Sequence, residues 1–169
     1  LRSGSITLKA GPNILGNTLG DGEINIDGNK NYGFVVNSDS NKSVFGTTTD
    51  DLQQSIDKLN YGIGINEGKI NVNGNKNIGM YFTGTTGTNK NNGIITVAGT
   101  NGYGVMLGNG AIFENTKNIN ATGATSMGLY TENSTATNTT GATISSSLHH
   151  GVVQKGGTLT NDGNISTAA

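Results

Sequence analysis

The chain has 169 residues, of which 28 are Gly, 25 Asn and 23 Thr, with one Pro, no Cys and no Trp. A net charge of −1 with 12% charged residues excludes an electrostatic grip on a nucleic-acid backbone. The missing Cys excludes a disulfide framework, a thiolate nucleophile and Cys-ligated metal, and no run of about 18 apolar residues is present to span a membrane as a helix.

Leu, Ile, Val and Phe together make roughly 22% of the chain, just above the level of disordered segments. The chain is therefore either disordered or built on an architecture that needs little core per residue, and its periodicity decides between the two.

A repeat begins near residue 22. Gly22-Glu23-Ile24-Asn25-Ile26-Asp27-Gly28 is followed by Gly33-Phe34-Val35-Val36. Residues 37–60 interrupt it. In their second half Leu52, Ile56 and Leu59 fall on one face of a helix, with Thr48 or Thr49 as N-cap ahead of acidic residues. The spacing predicts a short helical insertion there.

The repeat then resumes. Ile70-Asn71-Val72 leads to Gly79-Met80-Tyr81-Phe82, and Ile95-Thr96-Val97 leads to Gly104-Val105-Met106-Leu107. Ile119-Asn120-Ala121 leads to Gly128-Leu129-Tyr130-Thr131, and a weaker copy runs from Ile144 to Gly151-Val152-Val153-Gln154. A half-copy ends the series at Ile165. The consensus is N-x-G-x-I-x-V-x-G-x4-G-Φ-x-Φ, with Φ apolar.

The anchor isoleucines are spaced by 46, 25, 24, 25 and 21 residues. The first gap is one coil plus the insertion. Alternation within each copy is strand-like, with one face buried, and Gly and Asn punctuate every few residues where turns demand them. Three short strands in about 24 residues make one coil of a right-handed parallel β-helix, since such repeats contact only their neighbours and need no thick core. The reading is a single all-β solenoid over residues 1–169 with six or seven coils.

Inward files are expected at Ile24, Ile70, Ile95, Ile119, Ile144 and Ile165, and at Ile26, Val72, Val97 and Ala121. An Asn ladder is expected at Asn66, Asn91, Asn115 and Asn161, interrupted by Thr140 and absent before the insertion, where Gly20 stands. In each Φ-x-Φ the outer residues point inward, so the middle one points outward. That outward row, Val35, Tyr81, Met106, Tyr130 and Val153, is the candidate binding stripe.

The repeat resembles the passenger repeats of type V autotransporters, and its Asn-, Gly- and Thr-rich composition is similar to large fusobacterial adhesins. The resemblance covers residues 20–169 apart from the insertion. It implies a segment of a longer exported passenger, displayed at the cell surface by an outer-membrane barrel. It implies an adhesin, monomeric as a fragment, that attaches to a protein or glycan on host or bacterial cells, without enzymatic activity or cofactor. The absence of Cys suits passage through a barrel.

Carbohydrate-active β-helix enzymes are the alternative. They need acidic residues gathered in a groove, whereas here the acids are scattered, and Arg2 is the single arginine. The pair His149-His150 is not expected to chelate a metal, because consecutive strand residues face opposite ways.

Overall fold

A computed structural model describes residues 6–9, 16–17, 23–37, 42–45, 64–85 and 87–167. Among these residues the protein is all β, a parallel solenoid of about four turns with about 24 residues per coil. Six or seven coils are expected from the repeats; the complete turns are fewer because much of residues 1–63, including the predicted helix with Leu52, Ile56 and Leu59, lies outside the described residues.

Each coil contributes a strand to three faces. The first face stacks β1 (Ile6–Lys9), β3 (Glu23–Ile26), β7 (Lys69–Val72), β10 (Ile94–Val97), β13 (Asn118–Ala121), β15 (Thr143–Ser146) and β17 (Asn164–Thr167). The second stacks β5 (Lys42–Phe45), β4 (Tyr32–Asn37), β8 (Ile78–Thr83) and β11 (Tyr103–Gly108). The third stacks β2 (Gly16–Asn17), β6 (Ile65–Asn66), β9 (Thr88–Asn91) and β12 (Ile112–Asn115). In the last coils, β14 (Met127–Asn138) and β16 (Val152–Asn161) run through both the second and third faces and join them into one sheet. The bend between those faces survives as left-handed residues, Asn133 at φ 47° and Gly156 at φ 74°.

Pairing is parallel throughout the coils, and the register follows the repeat. Ile24, Ile70, Ile95, Ile119, Ile144 and Ile165 are successive partners on the first face. The first five are 0–1% exposed, and Ile165 packs half-buried at the last level. Ile26, Val72, Val97 and Ala121 form the second file, also 0–1% exposed. Met80, Phe82, Val105, Leu107 and Leu129 close the core from the second face, and Ala111, Phe113 and Ala136 from the third. Phe82 and Phe113 stack with ring centroids 6.1 Å apart.

Two strands depart from the parallel pattern. β1 pairs antiparallel with β3, and β5 pairs antiparallel with β4. β5 falls inside the segment 37–60 expected to be a loop and helix, so part of that insertion is a strand laid along the edge of the second face.

The last glycine of the repeat, just before Φ-x-Φ, is explained by space. A Cβ on Gly104 would lie 2.6 Å from the Gly128 carbonyl oxygen and 2.6 Å from Ile119 Cγ2, and one on Gly128 would lie 2.6 Å from Ile144 Cγ2. This glycine lets the second face approach the anchor isoleucines of the first.

The Asn ladder is continuous, which corrects the expected interruption. Asn66 Nδ2 donates to Asn91 Oδ1, Asn91 to Asn115, Asn115 to Asn138 and Asn138 to Asn161, each at 2.8 Å. Asn138 takes the place assigned to Thr140 because the corner before Ile144 is two residues longer than in the other coils, with Gly141 at φ 82°. The stretch from Gly128 to Asn138 is one or two residues shorter than Gly104 to Asn115 and Gly79 to Asn91, so the spacing from Ile119 to Ile144 stays at 25 and hides the shift, while the shorter corner from Ile144 to Gly151 falls in the next gap, of 21. The ladder position also exists before the insertion, because the Asn17 backbone is in register with Asn66.

Candidate functional site

The outward row lies where the alternation places it. Val35, Tyr81, Met106, Tyr130 and Val153 are successive parallel partners on the second face. Each is half-buried, and Tyr81, Met106 and Tyr130 lie between buried neighbours that point into the core. A second row runs beside them.

That second row is Tyr32, Ile78, Tyr103 and Met127, again in register; Ile78 is buried, at 7% exposed, and the other three are half-buried. After Ile78, Tyr103 and Met127 the glycine and the apolar residue that follows it both face inward. A Cβ on Gly79 would touch Val72 and Ile70 side chains, and Met80 is fully buried. Strict period-two alternation fails at this glycine, and residues three apart share the outer surface. The stripe expected from the sequence leaves these positions out. The signal was available, since aromatic or large apolar residues precede the glycine in four coils.

Together the rows form a band of nine residues that holds four of the five tyrosines of the chain. The tyrosines alternate between the rows: Tyr32 in one, Tyr81 in the other at the next level, then Tyr103, then Tyr130. They associate as two diagonal pairs. Tyr32 and Tyr81 have centroids 5.8 Å apart in a tilted arrangement, and Tyr103 and Tyr130 are 6.0 Å apart edge to face. Such geometries suit the ring quadrupole. Ile78, Met106 and Met127 fill the spaces between, and thioethers adapt readily to partners.

The flanks are polar. On one side the corner residues Lys30, Lys76, Asn101 and Thr125 are exposed and all left-handed, at φ 53–58°. Asn101 donates to Asn75 Oδ1, and Thr125 donates to Asn101 Oδ1. Nearby Asp27 accepts a hydrogen bond from Asn73 Nδ2 at 3.2 Å. On the other side Lys155 and Glu132 form an ion pair at 2.8 Å. Lys155 holds the Glu132 carboxyl below its ordinary value, by its hydrogen bond first and its charge second. Tyr130 Oη also donates to Glu132, at 3.4 Å.

No protein-family model, curated protein or solved structure matches this chain. Its own geometry is what bears on function.

Other features are less organised. A concavity of about 300 Å³ at the corner between the third and first faces is lined by Glu67, Lys69, Asn92, Ile94, Lys117 and Asn118. Among the described residues no three His, Asp or Glu side chains converge. His149 and His150 lie in the bend before β16 and not on a strand, so their rings fall on the same side, with centroids 4.2 Å apart. This corrects the expectation that they face opposite ways.

Proposed function

We propose that this chain is an adhesive segment of a surface-displayed rod, the passenger part of a type V autotransporter adhesin attaching to host or bacterial cells. Support comes from the repeat, from a solenoid built with little core and no Cys, and above all from the band. Eight half-buried outward positions, with Ile78 buried among them, carry large apolar or aromatic residues in a chain otherwise dominated by Asn, Gly and Thr. Contiguous apolar surface on a soluble face marks contact sites, and tyrosine engages partners through both ring and hydroxyl.

The test displays the chain on a bacterial surface and measures attachment to epithelial and bacterial cells. Replacing Tyr81→Ser and Tyr130→Ser together should abolish attachment while surface display and melting stay unchanged. Attachment equal to the parent's would remove the band from the adhesive role.

A further inference from the structure

We infer that the band binds a linear, uncharged, β-linked glycan laid along the solenoid axis, an inference that rests on the adhesive reading above and names its ligand. Three observations carry it.

The first is shape. Its two rows lie three residues apart along each strand, about 10 Å, and its five levels extend about 20 Å at the strand spacing. That patch of roughly 200 Å² is far below the ~800 Å² per partner of a stable protein interface. A second copy of this chain or a globular receptor does not fit so narrow a strip. A single polymer chain does.

The second is periodicity. Tyrosine alternates between the rows, so the pattern recurs every two coils, about 10 Å along the axis. The pair Tyr32–Tyr81 is repeated in this way by Tyr103–Tyr130. In an extended β-linked glycan successive sugars are flipped about the chain, so its chemistry also repeats every two units. Each sugar then meets one level of the solenoid, and its apolar CH face rests alternately on a ring of one row and a ring of the other. Peripheral hydroxyls reach the exposed Lys76, Asn101 and Thr125 on the flanking corner.

The third is charge. None of the nine band positions is an Asp, Glu, Lys, Arg or His, and Glu132 on the flank is already paired with Lys155. An uncharged ligand covers the band without leaving an ionised group stranded in a dry contact.

The experiment is calorimetric titration of the whole chain with cellohexaose, chitohexaose, their dimers, maltohexaose and a hyaluronan hexasaccharide. At least one uncharged β-linked hexamer should bind about tenfold or more tightly than its own dimer, because the dimer covers two levels only. Tyr81→Ala and Tyr130→Ala should each weaken that binding about tenfold with melting unchanged. Maltohexaose, α-linked and curved, should not bind. Absence of binding by both β-linked hexamers, equal affinity for hexamer and dimer, or preference for the acidic hyaluronan chain would overturn the inference. The length dependence uses the unaltered protein and stands even if a variant fails to fold. Tyrosine-dependent cell attachment without glycan binding overturns this inference and keeps the adhesive reading. Glycan binding by a chain that attaches to no cell does the reverse.

Discussion

Ile94 and Ile95 are consecutive residues of one strand, yet Ile94 is 41% exposed and Ile95 is fully buried. The pleat alone separates them. Ile95 belongs to the anchor file between Ile70 and Ile119, while Ile94 sits on the outer wall beside Lys69 and Asn118. Ile95→Asp should cost several kcal/mol, because it buries a charge with no partner, and should lower the melting temperature sharply. Ile94→Asp should change it little. Equal melting of the two variants would mean that the register is wrong.

Asn115 receives from Asn91 Nδ2 and gives to Asn138 Oδ1 and to the Lys117 carbonyl oxygen, all at 2.8 Å. Asn115→Leu removes these bonds and strands two buried amide groups, at about 1–3 kcal/mol each. Urea unfolding should register a loss of that size. A solvent-exposed asparagine such as Asn118 is the control, and Asn118→Leu should leave the midpoint nearly unchanged.

Thr131 is fully buried, and its hydroxyl has no hydrogen-bond partner. It stands in register between Leu107 and Gln154. Thr131→Val keeps the branched shape and removes the stranded hydroxyl, so it should raise stability by about 1 kcal/mol. A lower unfolding midpoint would indicate that the hydroxyl is satisfied in solution.

The Glu132–Lys155 pair predicts a small pH dependence. The hydrogen bond and charge of Lys155 depress the Glu132 carboxyl, so its contribution is present above the unfolded-state value and is lost as pH falls through the folded one. The same partner raises the Lys155 ammonium, whose contribution is present below its unfolded value and is lost as pH rises through the folded one. The pair therefore holds between the ordinary values of 4.5 and 10.5. Glu132→Gln should melt slightly below the parent at neutral pH and together with it in strong acid, and added salt should shrink the difference. NMR titration should place the Glu132 midpoint below 4.5; a midpoint at that value would dismiss the pair in solution.

Much of this fold was legible because a solenoid repeats its side-chain environment at a fixed interval. The anchor isoleucines and the outward row at Tyr81 and Tyr130 follow from counting. Asn138 escaped because the stretch from Gly128 to Asn138 is shorter and the corner from Asn138 to Ile144 longer than in the other coils, which left the spacing from Ile119 to Ile144 at 25. Asn89 escaped because an amide in the file of Phe113 and Ala136 reads as a loop residue. It is buried on bonds to the Ile112 carbonyl oxygen, Thr85 Oγ1 and the Gly64 amide. Half the band escaped because the glycine between the two rows breaks strict alternation. The direction of β1 and β5 left no trace, since pairing orientation does not alter which residues of a short strand are apolar.

The Asn ladder also gives the rod an arrow. Every Nδ2 in the series points to the Oδ1 of the following coil and never to the one before. Each added level must present an acceptor to a waiting donor, and a coil laid on upside down would set donor against donor. The amide dipoles add head to tail along the axis instead of cancelling. Whole coils can therefore be gained or lost without disturbing this alignment, whereas a partial coil would break it, so such a rod changes length in steps of one turn.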